Sequence, residues 1–156
     1  MTSNRPFSQS LRDALRGIKI AVGEGRNLRI HLVAGSLAVA LGFAVELSRG
    51  EWILLTLTIA LVLAAETFNS ALEAAVDLSC PQRHPLAGKA KDLSAGAVLL
   101  TAVGALVVGI LLFWRPALYI QWLQWALENP WCFLPVALGA AAAIWFIRGS
   151  FFHKNS

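Results

Sequence analysis

Leu93 to Trp114 reads LSAGAVLLTAVGALVVGILLFW, and this stretch decides the fold. It holds 22 residues without a charge, bracketed by Asp92 and Arg115. At about 1.5 Å rise per residue, a helix of that length spans a hydrocarbon core about 30 Å thick. In lipid the run must be helical, because no water is present to bond unpaired backbone groups. Three more apolar runs accompany it. Ile30 to Val45 contains one His, Trp52 to Ala65 continues into polar residues, and Trp131 to Ile147 lies between Pro130 and Arg148. Only 14% of the chain is charged, against about 25% in a soluble domain, and the deficit is concentrated in these runs.

The expected fold is therefore an all-α membrane protein. An N-terminal amphipathic surface helix is expected at 8–24. Transmembrane helices at 28–47, 51–78 and 87–115 complete a core over 1–115. An interfacial segment and a fourth transmembrane helix at 131–147 occupy 116–156. The surface helix is read from Leu11, Ala14, Leu15, Ile18, Ala21 and Val22 at helical spacing, with Arg12, Asp13, Arg16 and Lys19 between them. The same pattern would suit a helix docked on the bundle. The polar start, with Arg12, Asp13 and Arg16 ahead of any long apolar stretch, is not that of a signal peptide. Cys80-Pro81 ends the second span, since proline cannot continue a helix and restricts the residue before it. Pro116 to Asn129 is rich in Trp and Tyr, as suits a water interface. The fourth span is rich in Ala and Gly and suits close helix packing.

With four spans and a cytoplasmic N-terminus, Arg5, Arg12, Arg16, Lys19, Arg26, Arg29, Arg83, Lys89, Lys91, Arg148 and Lys154 lie inside. Only Arg49 and Arg115 lie outside. This bias predicts that both termini are cytoplasmic. The net charge of +4 is then an orientation and headgroup signal rather than a sign of nucleic acid. Cys80 and Cys132 fall on opposite sides and cannot pair within one chain. Neither has zinc-type spacing, and both read as packing residues.

The chemistry is carried by Glu66-Thr-Phe-Asn69-Ser70-Ala-Leu-Glu73-Ala-Ala-Val-Asp77. At about 100° per residue, Glu66, Asn69, Ser70, Glu73 and Asp77 share one narrow face. Carboxylates on a membrane helix are costly and usually mark a functional site. A polar packing seam or a solvated helix end would give the same stripe. Lys89, Lys91 and Asp92 follow across the loop, on the same side of the membrane. Carboxylates that hold Mg²⁺ on phosphates, with a Lys that neutralises charge, are parts for phosphoryl transfer. For Lys89 and Lys91, membrane-face anchoring is the plainer reading. No Walker loop or kinase-type Gly-rich loop is present.

The block Glu66-x-x-Asn69-Ser70-Ala71-x-Glu73-x-x-x-Asp77, followed by His84-Pro-Leu-Ala-x-x-Ala-Lys91-Asp92-x-x-Ala-Gly-Ala-Val, resembles the prokaryotic diacylglycerol kinase and undecaprenol kinase family. Arg26-Asn27-Leu28-Arg29-Ile30-His31 resembles that family's entry to its first transmembrane helix. The resemblance covers about residues 8–115. It implies a homotrimer in the bacterial inner membrane, with active sites shared between chains at the cytoplasmic face. It implies transfer of the γ-phosphoryl group of MgATP to a lipid hydroxyl, with Mg²⁺ as cofactor and ATP and a membrane lipid as partners. Carried over by motif, Glu66 is the catalytic base and Glu73 a metal ligand. Asn69 and Asp77 line the nucleotide site, Lys91 meets the phosphates, and Asp92 is its polar partner. One departure stands out. The family's metal-binding Glu before the Arg-Asn pair is Gly25 here. Either Glu24 reaches the metal across the flexible glycine, which is the expectation, or the second carboxylate is missing.

His84-Pro-Leu-Ala and Ala-Gly-Ala-Val resemble the undecaprenol kinase branch more than the enterobacterial diacylglycerol kinase branch. Two other functions fit the stripe. A proton-coupled transporter would use it as a relay, but the stripe follows a short apolar run and so lies at the membrane rim, and no repeated halves are seen. A catalytically inactive membrane subunit would explain Gly25.

Overall fold

The computed structural model describes residues 6–149. Arg5 and Lys154, both counted in the charge asymmetry, lie outside the described residues. Among the described residues there is no strand. The order is α1 (Phe7–Glu24), α2 (Arg26–Ala44), α3 (Arg49–Ser79), α4 (Pro85–Phe113), α5 (Pro116–Glu128) and α6 (Phe133–Arg148), with a 3-10 turn at Pro130–Cys132 before α6. Four helical segments among the described residues are long and apolar enough to cross a membrane: Arg26–Ala44, Arg49–Ser79, Pro85–Phe113 and Pro130–Arg148. Their surfaces agree, since Leu57, Leu61, Leu99, Leu100 and Leu111 are all exposed. Apolar faces of that extent are stable in lipid and not in water. The chain is an all-α membrane protein.

The helix ends follow local capping. Ser48 caps α3: its Oγ accepts from the Glu51 N–H, and Glu51 Oε2 accepts from the Ser48 N–H at 2.8 Å. This capping box draws Arg49 and Gly50 into the first turn, two residues before the expected start. His84 caps α4, its Nδ1 accepting from the Leu86 N–H at 3.2 Å, with Pro85 at the first helical position. That helix also begins two residues earlier than expected. It ends at Phe113, because Pro116 keeps Arg115 out of the helical region. The aromatic interfacial segment is itself a helix, α5, also opened by a proline.

Between α2 and α3 the chain turns through Glu46 at φ 54°. The Leu47 N–H donates to Gly42 O and the Glu46 N–H to Phe43 O, at 3.0 and 3.3 Å. This is a Schellman closure, which glycine makes without steric cost. Glu46→Gly is expected to stabilise the protein by about 1 kcal/mol, the lower end of the left-handed penalty for a residue with a Cβ. A rise in the melting temperature in detergent checks this, and a fall would contradict it.

α3 and α4 form a long antiparallel pair, and α2 packs against α3. The α2–α3 approach is close because of small residues. A Cβ on Gly42 would stand 3.0 Å from both Leu47 and Trp52, and one on Gly35 would stand 3.2 Å from Ile59. At the end remote from the carboxylate stripe, Val45, Leu47, Leu55 and Leu112 form a buried cluster. There Arg115 Nη2 donates to Glu51 Oε1 at 3.0 Å, joining the end of α4 to the start of α3. α1 touches the bundle chiefly through its last turns. Ala21 is buried, while Leu11, Leu15 and Ile18 are each at least half open. α6 packs on α2.

Candidate active site

Along α3, Leu55, Ile59, Val62, Glu66, Asn69 and Glu73 recur at alternating four- and three-residue spacing. This is one continuous helix face. Leu55, Val62, Glu66 and Asn69 are all buried, Glu66 to 3% exposure. The apolar seam that packs the bundle therefore turns polar at Glu66 without changing face. Burial then fades along it: Glu73 is half-buried and Asp77 is exposed. The 31 residues of α3 exceed the roughly 20 that cross a bilayer, so the last turns stand clear of hydrocarbon.

The seam is tied to α4 by side chains. Asn69 Nδ2 donates to Glu73 Oε1 at 3.0 Å, and Asn69 Oδ1 accepts from Ser94 Oγ at 2.6 Å. Both ends of the amide are thus fixed, which fixes the orientation of Glu73. Ser94 Oγ also stands 2.9 Å from the carbonyl of Lys91. Lys91 Nζ donates to Asp77 Oδ1, so Lys91 and Asp77 form a second bridge nearer the solvent. The Glu66 carboxylate has no hydrogen bond or ion pair among the described residues; only its backbone carbonyl accepts, from Ser70 Oγ at 3.1 Å. The small exposure that Glu66 keeps therefore lies at its carboxylate, which leaves open lone pairs serviceable as a base.

Several expectations change here. Asp92 is exposed and is not the partner of Lys91; adjacent residues on a helix point about 100° apart, and Asp77 faces Lys91 instead. Ser70 turns back to its own helix and does not extend the network. Gly25 is not a flexible joint. Its φ of −84° is open to any residue, but a Cβ there would stand 2.7 Å from the Ala21 carbonyl oxygen. Glycine is needed because the elbow between α1 and α2 is tight. Glu24, beside it, is exposed. Ser94 was not legible as a site residue. Its one available signal was the i+3 spacing from Lys91 at the start of the uncharged run.

The donor set can be tested for a metal. Glu73 keeps Oε2 open and is held in place by Asn69, while Asp77 is engaged by Lys91. Among the described residues no three His, Cys, Asp or Glu converge as a cage. Glu73 is thus a single open carboxylate, a donor that a hard cation such as Mg²⁺ accepts. An apolar cavity of about 280 Å³ lies between α2, α3 and α4, lined in part by His31, Gly35, Thr58, Ile59 and Val62. Val62 is one turn from Glu66 on the same face. Cys80 and Cys132 are free thiols, and Cys80 Sγ donates to the Gln82 carbonyl in the loop after α3.

Comparison with known proteins identifies the family. Residues 12–113 match the family described as prokaryotic diacylglycerol kinase. The undecaprenol kinase of Bacillus subtilis is 40% identical over 107 residues, 69% of this chain and 87% of that protein. The diacylglycerol kinase of Synechocystis is 41% identical over 113 residues, 72% of this chain and 65% of that protein. The diacylglycerol kinase of Escherichia coli K12 is 32% identical over 99 residues, 64% of this chain and 81% of that protein. The matched region takes in every helix that carries the polar seam and stops where α4 ends. The chain thus belongs to the prokaryotic diacylglycerol kinase family and is a membrane lipid kinase.

Proposed function

We propose that the protein transfers the γ-phosphoryl group of ATP to a lipid hydroxyl at the cytoplasmic face of the bacterial cell membrane. The observation that carries this is Glu66, buried and unpaired at the point where the apolar seam of α3 meets the Asn69–Glu73–Ser94 network. The lipid oxygen bonds to the γ-phosphorus as the bond to the β-bridging oxygen breaks, and Glu66 takes the hydroxyl proton. Glu73, steadied by Asn69, would hold Mg²⁺, and Glu24 is the second candidate ligand. When bound, the ion neutralises charge on the transferring group. Lys91 leaves Asp77 for the phosphates, with Asp77 and Asp92 lining the nucleotide side. The cavity beside Val62 suits part of an apolar chain whose hydroxyl reaches Glu66.

The active unit is a homotrimer with sites shared between chains. The open apolar stripe of α1, with Leu11, Leu15 and Ile18 uncovered, is what supports it. Both termini are cytoplasmic: the Lys and Arg excess lies at the end of the bundle that carries Glu66 and Asp77. The favoured acceptor is undecaprenol, on the His84-Pro-Leu-Ala motif, and the 40% identity to the Bacillus undecaprenol kinase is compatible with it.

Labelled ATP with undecaprenol and diacylglycerol side by side in detergent micelles tests the proposal. Labelling of undecaprenol at the higher initial rate is expected. A higher rate on diacylglycerol would reverse the choice of lipid, and no labelling of either, with folded protein and Mg²⁺, would sink the kinase reading for this chain. Glu24→Gln is expected to raise the Mg²⁺ concentration needed for half-maximal rate, and an unchanged requirement would remove Glu24 as a ligand.

A further inference from the structure

Arg29 sits in the first turn of α2, yet only 6% of it is exposed. Its Nη1 donates to the carbonyls of Val22 and Gly23, both at 2.8 Å. Its Nε donates to the carbonyl of Ile147 at 3.1 Å. These acceptors belong to the last turns of two different helices, α1 and α6. Terminal carbonyls have no partner within their own helix and form its negative end. One guanidinium therefore caps two helix C-termini at once. Gly149 completes the contact. It closes α6 in the left-handed region at φ 71°, its N–H donates to Phe146 O at 3.1 Å, and a Cβ there would stand 2.9 Å from Arg29 Nη2.

The two capped ends differ in origin. α1 lies within the family region, whereas α6 lies wholly beyond residue 113, where that region stops. The α1 end is the elbow: Glu24 is its last residue and the tight Gly25 follows. Whatever holds the Val22 and Gly23 carbonyls holds the direction in which Glu24 leaves α1. We propose that α6 is a positioning element for the kinase site, acting through Arg29 on the α1–α2 elbow and so on Glu24. This rests on the reading of Glu24 as a metal carboxylate. Ile147 holds Arg29 from one side, and Arg29 holds the elbow on the other. Displacing the guanidinium leaves carbonyls of both helices unpaired in a part-buried site, which the elbow relieves by opening.

Gly149→Val tests this in the full-length protein, because it strikes Arg29 from α6 and touches no residue assigned to the chemistry. Faster amide hydrogen exchange is expected over residues 20–28, with exchange over 66–94 unchanged. The Mg²⁺ concentration for half-maximal rate is expected to rise about tenfold, the low end for a residue that orients a metal ligand through another group. Turnover at saturating Mg²⁺ should stay close to wild type. Arg29→Lys keeps the charge but lacks the planar fork that reaches two helices, so it should shift both readouts the same way. It decides the matter if Gly149→Val exchanges rapidly throughout. Unchanged exchange over 20–28 would overturn the clasp. Faster exchange there with an unchanged Mg²⁺ requirement would overturn its role in positioning. An inactive wild-type protein would instead refute the kinase reading, while the exchange measurement would still report on the clasp.

Discussion

Glu66→Gln is expected to lower phosphoryl transfer by about 10²- to 10⁴-fold, the range for a positioned general base. The loss should fall on turnover and leave the KM for ATP nearly unchanged, since this side chain addresses the lipid hydroxyl and not the nucleotide. Stability should hold. The Glu66 carboxylate has no side-chain partner among the described residues, so the amide orphans no donor elsewhere. A neutral amide of the same shape is also cheaper to bury than a charge. Initial rates with labelled ATP, alongside melting temperature and particle size in detergent, separate the two effects. Near-normal turnover in a folded variant would take Glu66 out of the role of base. A large drop in melting temperature would show that the carboxylate serves structure through a group of a neighbouring chain.

The centres of the spanning helices were legible because apolar residues recur with the helical period and charges stay out of the runs. Their ends were less so. Ser48 and His84 extend α3 and α4 by side-chain caps, and a cap depends on which donor a side chain meets. The polar face of α3 was legible from angle alone, and burial of Glu66 and Asn69 lies on it. The angle did not reveal the fall in burial toward Asp77, which depends on which neighbours pack along α3. Pairing Lys91 with Asp92 failed because neighbours in sequence are not neighbours on a helix surface. Gly25 looked like freedom and is a matter of space, set by the Ala21 carbonyl. The Arg29 clasp had no signal at all. Its acceptors are backbone carbonyls, one of them 118 residues away.

Lys91→Met is expected to lower kcat/KM for ATP by about 10²- to 10³-fold, the cost of removing one preorganised group from a developing charge. Its ground-state role is slight. The side chains of Lys91 and Asp77 are 35% and 67% exposed, and an ion pair that open contributes about 0–1 kcal/mol. The ammonium can therefore exchange a carboxylate for phosphate oxygens at little cost, and methionine at 91 should leave the fold intact. A rival account is that the variant fails because Asp77 is left as a bare negative charge that repels the nucleotide. The double variant Lys91→Met with Asp77→Asn separates the two. If Lys91 meets the phosphates, neutralising Asp77 restores little, and the double variant stays within a few-fold of Lys91→Met. If the harm comes from the uncompensated carboxylate, the double variant recovers most of the rate, and Lys91 becomes a residue that merely shields Asp77. Lys91→Arg sharpens the comparison: it keeps the charge in a planar fork, so partial activity is expected if charge at the phosphates is what matters.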